Sequence, residues 1–225
     1  MRFASGKNEK MNSERVPTPG FAAKVDLIAG ILCLDFANTV EPRIASNGRM
    51  RDYLTSYDEL IAWSLHAGSL DTEEGETLRK AAADQPDAAQ AALAQALTLR
   101  EAIYGTFSAI AEGEQADPQA LQIIMAAYAQ AMDKAHFMPS NANFTLSWSN
   151  HPADLAHPLW AVARSAFELL TQGEMHRIKD CPHGEGGCGW LFYDSSKNNS
   201  RRWCSMRGCG NPAKERRRAQ RRSNA

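Results

Sequence analysis

The stretch CPHGEGGCGWLFYDSSKNNSRRWCSMRGCGNPAK, Cys181–Lys214, decides how this chain folds. Its four cysteines are spaced Cys181-x6-Cys188-x15-Cys204-x4-Cys209. Two close pairs separated by 15 residues match the layout of a four-thiolate zinc site, in which each pair sits on a tight loop and aims two sulfurs at one ion. Gly184, Gly186, Gly187 and Gly189 surround the first pair, and Gly208 and Gly210 flank the last cysteine, so backbone amides can turn toward sulfur without a Cβ clash. His183 precedes Cys188 by four intervening residues and stands as an alternative ligand to Cys181. Between the pairs, GWLFYD reads as a strand, SSKNNS as a polar turn and RRWC as the return strand, with Trp190, Phe192 and Tyr193 as a small core over the knuckles. Asp194 reads as a turn-former or a partner for Arg201 or Arg202.

Residues 176–225 have almost no aliphatic side chains and cannot bury enough surface to fold unaided. One structural zinc per chain, worth on the order of 10 kcal/mol or more to folding, would order them. The same segment is basic. From His176 onward there are 12 Lys/Arg against 4 Asp/Glu, whereas residues 1–175 carry 13 against 22. A polyanionic partner is expected for the basic part. Asn211 reads as an N-cap and Pro212 as the first residue of a helix, PAKERRRAQRR. Lys214, Arg218, Arg221 and Arg222 would form one stripe, with Arg217 on its edge. Lys197, Arg201, Arg202 and Arg207 add cations from the zinc module. These nine residues are the candidate nucleic-acid contacts, through phosphates or base edges.

Upstream, the chain is mainly α over residues 21–175. Residues 1–20 are polar, lack the apolar stretch of a secretory signal and read as a flexible leader. No apolar run is long enough to span a bilayer, so a cytoplasmic protein with no membrane partner is expected, and cysteines clustered there point to metal. KVDLIAGILCLDFANTV, Lys24–Val40, reads as a strand or a short buried helix, with Cys33 as plain core. Ser56 with Glu59 has capping-box spacing for a helix ending at Gly68. A second helix opens at Asp71 or Thr72. The longest spans DAAQAALAQALTLREAIYGTFSAIAEG, with Leu93, Leu97, Arg100, Ile103, Phe107 and Ile110 on one face. Asp117-Pro118 opens a helix to about His136, ANFTLSW is a short strand, and Asp154–Thr171 is helical, starting at Pro158 if the proline sits in its first turn.

The residues GWLFYDSSKNNSRRWCSMRGCGNPAK resemble the CGNR zinc-finger family, and GILCLDFANTVEP followed by SYDELIAWSLHAG resembles the ABATE domain that precedes this finger. The family is regarded as stress-induced bacterial transcription regulators. The resemblance implies zinc on the four cysteines, a DNA-binding finger and an N-terminal domain that senses an unidentified molecule. Two departures stand out: Pro212 occupies the position of the family's naming arginine, and the first cysteine pair has six intervening residues where four are expected.

In the body, Asp35, Asn38 and Thr39 fall inside an apolar segment, and buried polar groups need partners. Two readings stay open: a ligand pocket completed by Trp63, or a structural network tying this segment to a helix N-terminus or to Arg51. No nucleophile motif, glycine-rich phosphate loop or H-E-x-x-H is present, so no catalytic residue and no enzymatic activity are expected. The expected function is transcription regulation through duplex DNA under a small-molecule effector, with room for an oligomer. The alternatives are an RNA- or ribosome-associated zinc protein, or a small-molecule-binding body whose zinc module mediates assembly.

Overall fold

The structure is a computed structural model that describes residues 21–43, 50–141, 143–182 and 187–223. The expected leader, His183, Gly184 and Gly186 lie outside these residues. Among the described residues the chain is mainly α, with three two-stranded antiparallel ribbons.

The ambiguous first segment resolves into a short helix, α1 (Leu32–Ala37), and a two-residue strand, β1 (Val40–Glu41), paired with β2 (Arg51–Asp52). Helix α2 (Tyr57–His66) is capped by Ser56, whose Oγ accepts from the Glu59 amide. The box does not close. Glu59 is fully buried and its carboxylate instead accepts from the Phe21 and Ala22 amides at 3.1 and 2.7 Å, pinning the start of the described chain. Helix α3 (Thr72–Asp84) has the complete box, Asp71 with Glu74. Helix α4 (Pro86–Glu112) is the spine of the molecule, stopped by Gly113 at φ +78°. Its predicted face is the buried one, including Leu93, Ile103 and Phe107, and Arg100 sits in it because Asp52 grips its guanidinium with two bonds of 2.7 Å.

Helix α5 (Pro118–Asp133) starts at the predicted cap but ends before His136. His136 instead opens β3 (His136–Ser140), which pairs with β4 (Asn143–Ser147). The second strand of this hairpin was legible; the first, HFMPS, was not. Helix α6 (His157–Gln172) has Pro158 in its first turn, later than Asp154. Helices α4, α5 and α6 pack together, and α1 lies against α4 and α6. Among the described residues, no helix is long and apolar enough to cross a membrane.

The C-terminal part departs from the expected hairpin. Strand β6 (Leu191–Tyr193) pairs with β5 (Ile178–Asp180), the segment before the first cysteine, in the register Ile178↔Tyr193. RRWC is not a strand. The reason is local: Asp194 is fully buried, its Oδ1 accepts from the Ser196 amide and its Oδ2 from the Arg201 amide, which coils the turn and spends the return segment's donor. Lys179 completes the knot, its Nζ 2.6 Å from Asp194 Oδ2 and bonded to the Asn199 and Arg201 carbonyls. Asp194 is thus the expected turn-former, but its ionic partner is Lys179. A π turn over Met206–Gly210 runs directly into α7 (Asn211–Ser223).

Candidate metal centre and basic helix

Strand β5 delivers Cys181 and the start of β6 returns the chain beside it. The Cys181 amide donates to the Trp190 carbonyl at 2.9 Å, and the Gly187 amide to Pro182 at 2.8 Å. Gly189 holds φ +73°, and a Cβ on Gly187 would sit 2.5 Å from the Pro182 oxygen and 2.7 Å from Cys181 Sγ, so both glycines are required by the close turn. The second loop is closed by Ser205, whose Oγ accepts from the Gly208 amide and whose carbonyl accepts from the Cys209 and Gly210 amides.

The four sulfurs of Cys181, Cys188, Cys204 and Cys209 all lie within 4.8 Å of one another, and two of the separations are 3.4 and 3.7 Å. A tetrahedral zinc with Zn–S of about 2.3 Å spaces its sulfurs by about 3.8 Å, so the donors fit one ion. Cys181, Cys204 and Cys209 are buried and Cys188 half-buried. Contact with Cys188 drives the Cys181 thiol far below the ordinary range, and contact with Cys181 drives Cys188 and Cys204 far above it. Sulfurs this close cannot all ionise in isolation; a dication among them removes the conflict. Cys33 is different: wholly buried and outside that cluster, its thiol is pushed up to about 12 by burial, as expected of core.

The metal loops are welded to the helical body. Asn38 lies on the floor of the join: its Nδ2 donates to the Leu191 carbonyl at 2.8 Å and its Oδ1 accepts from the Leu191 amide at 2.9 Å. Trp190 Nε1 donates to Val40 O, the Arg43 amide to Cys188 O, the Tyr193 amide to Ala29 O and Tyr104 Oη to Gly189 O. The side chain of Arg43 is locked by Ala37 O, by Glu101 at 2.6 Å and by the Tyr104 ring at 4.1 Å. Arg43 and Lys179 were not singled out from sequence. Their partners are distant in the chain, so no spacing announces them.

Of the proposed ligand-lining residues, Asp35, Asn38 and Thr39 spend polar atoms internally, whereas the buried indole N–H of Trp63 has no partner among the described residues. Asp35 accepts from the Ala29 amide, Asn38 grips β6, Thr39 donates to the Phe36 carbonyl, and Trp63 is buried against Phe36. Arg51, the suggested partner, lies over the Phe21 ring instead. Asp35, Asn38 and Thr39 thus form a structural network, tied to Ala29, to Leu191 of the metal loops and to Phe36 rather than to a helix N-terminus or to Arg51. A cavity of about 360 Å³ opens elsewhere, between α4, α5 and α6, lined by Leu99, Ile123, Ala127, Leu159 and Trp160 with Gln95 and Gln130.

Among the predicted cationic residues, Arg201 turns inward. Its Nε donates to Trp203 O, its Nη2 to Ile28 O and Cys204 O, and its guanidinium lies 4.5 Å over Phe192. It is a structural arginine, because the coiled turn points it at the core. Lys197, Arg202 and Arg207 are exposed. In α7, Ala213 is buried and every residue from Lys214 to Ser223 is exposed. Lys214, Arg217, Arg218 and Arg221 surround one shallow cleft and therefore share a face, with Arg222 following. Asn211 is the first residue of α7 rather than a cap before it. The chain is already helical from Met206, capped by Ser205, and Asn211 donates to the Met206 carbonyl five residues back. The wide π turn is where the missing amide of Pro212 is absorbed.

Comparison with known families gives the same division. Residues 30–173 match the ABATE family, described as "Putative stress-induced transcription regulator", and residues 177–222 match the CGNR zinc finger. The chain belongs to the ABATE family and ends in a CGNR finger that binds one zinc through the four cysteines. No curated protein and no solved structure matches the chain.

Proposed function

We propose that this protein is a cytoplasmic, non-catalytic transcription regulator that binds duplex DNA through α7. One observation carries the reading: a helix rooted on zinc ligand Cys209 leaves ten consecutive residues exposed, with four cations on one face and nothing apolar to bury. Such a face suits the phosphate backbone, and its arginines suit guanine edges in the major groove. Arg202, Arg207 and Lys197 extend the positive surface; Arg201 is withdrawn from the candidate contacts. The experiment is a salt-titrated binding assay on duplex DNA, single strands and structured RNA, with Arg217, Arg218 and Arg221 each changed to Glu. The expected result is duplex binding that falls steeply with salt and by at least tenfold in the triple variant. Tighter binding to structured RNA would favour an RNA- or ribosome-associated role, and unchanged binding to every nucleic acid would leave the finger as an assembly device.

The cavity between α4, α5 and α6 supports the sensory half of the proposal. Its size suits a small molecule, and α4 and α6 are the helices on which α1 and β5 rest. Occupancy there would be felt by the segment that grips the finger.

A further inference from the structure

Among the described residues, the β3–β4 hairpin leaves an apolar face uncovered. Cross-strand partners share a face, so the register Phe137↔Leu146 and Pro139↔Phe144 places these four side chains together. Phe137 is 73% and Phe144 69% exposed, their rings meeting edge-on at 6.3 Å. Two exposed phenyl rings on a two-stranded ribbon are a poor arrangement for an isolated chain, since such a ribbon is marginal without something against its face. Its base is nevertheless held firmly: Trp148 Nε1 donates to the Ala131 carbonyl at 2.7 Å, and Trp148 packs by Trp160.

The two edges of the ribbon differ. A proline in a paired strand keeps its nitrogen on the outer side, so Pro139 denies a donor to any strand approaching β3. Strand β4, Asn143–Ser147, has no proline, and among the described residues it pairs with β3 alone. No Lys, Arg, Asp or Glu occurs between Lys134 and Asp154. Natural sheet edges are normally guarded by charge, proline or a covering element, and among the described residues this one has none of the three.

We infer that the hairpin is a homodimer interface: β4 pairs antiparallel with β4 of a second copy about a two-fold axis near Thr145, which sets Phe144 of each copy beside Leu146 of the other on one face of a four-stranded sheet. A second copy is the occupant that matches this surface. An uncharged edge and an uncharged apolar face are complementary to themselves, whereas the exposed remainder of the acidic body would repel a copy of itself. Edge pairing covers one phenylalanine, its leucine neighbour and the strand edge, on the order of a few hundred Å² per chain, which is the scale of a weak, transient interface. Dimerisation should therefore be weak, at about 10 µM or above. The dimer would present two basic helices, as paired DNA half-sites require, although the inference stands without that use.

The test is sedimentation velocity on the zinc-loaded full chain from about 1 to about 200 µM. A concentration-dependent dimer is expected, with Phe144→Lys weakening it at least tenfold while zinc content and helical circular dichroism stay unchanged. As a second measurement, Thr145→Cys should form an interchain disulfide under air, and Ser149→Cys, beyond the strand, should not. A monomer over the whole range, or a dimer whose constant is untouched by Phe144→Lys, would overturn the inference.

Discussion

Asn38 and Asp35 sit three residues apart and do opposite things to stability. Asn38 is fully buried and satisfies both backbone groups of Leu191 with one amide. Asn38→Ala would strand a buried N–H and a buried carbonyl on β6, which costs about 3 kcal/mol. The expected result is a fall in unfolding free energy of that order in urea, together with weaker zinc retention, because β6 carries the chain out of the first metal loop. Asp35 is a strained carboxylate. Burial pushes it up to about 6 from an ordinary value of 3.8, and the Ala29 amide only partly offsets that. Its folded pKa therefore lies above its unfolded one, so the native state binds the proton more tightly. Its contribution is favourable at low pH and is lost as pH rises from about 4 to about 6, by about 3 kcal/mol in all. Asp35→Asn keeps an acceptor for Ala29 and removes the titration. The difference in stability between wild type and Asp35→Asn should shift toward the variant across that window and then level off; thiol protonation at the zinc cancels in the difference. A difference that is flat from pH 4 to 7 would refute the assignment.

At the level of elements, what was legible was what is local. Helices α2 to α6 announce themselves through caps, prolines and a repeating apolar face, and the four ligands through spacing, because a metal fixes loop lengths. Pairing of β6 is not local. GWLFYD and RRWC are adjacent in sequence and each looks extended, but the strand chosen is β5, since only β5 lies between α4 and the first cysteine. The π turn was illegible for a different reason: no hydrophobic period marks it, and a good cap residue at Asn211 pointed to a later start. The coiled turn that displaces RRWC depends on Lys179. Buried Asp194 is held well below the usual carboxylate range by the Lys179 ammonium and by the amides of Ser196 and Arg201, against the opposing effect of burial. Lys179→Met keeps the length of the side chain and removes the charge, leaving that carboxylate unpaired. A loss of about 3 kcal/mol is expected. Asp194→Asn in the same background should recover much of it, and a double-mutant cycle in urea checks the coupling.

Across the whole molecule, composition divides the chain near residue 175, but packing does not. Leu191 and Phe192 of the finger are fully buried in the same apolar cluster as Phe36, Leu99 and Ile103 of the helical body. Cys181 is itself wholly buried there, one residue beyond a strand that leans on α4. The zinc therefore does more than staple a tail. A structural zinc contributes on the order of 10 kcal/mol, comparable with the entire 5–15 kcal/mol that keeps a typical domain folded. Were the finger an appendage, a strong chelator would melt residues beyond 176 and leave the helices at their original melting temperature. With Asn38, Ala29 and Tyr104 bonded to finger backbone and Val40 to the Trp190 indole, withdrawal of β6 instead opens the floor beneath α1 and bares one side of α4. Chelation should accordingly lower the melting temperature of the helical signal at 222 nm itself, in one transition, and raise amide hydrogen exchange in α1 and the middle of α4. Trp63 is packed on Phe36, so its near-ultraviolet dichroism should change in step with zinc loss. Identical melting of the helices with and without metal, with exchange confined to residues after 176, would mean that the join seen here contributes nothing to the stability of the body.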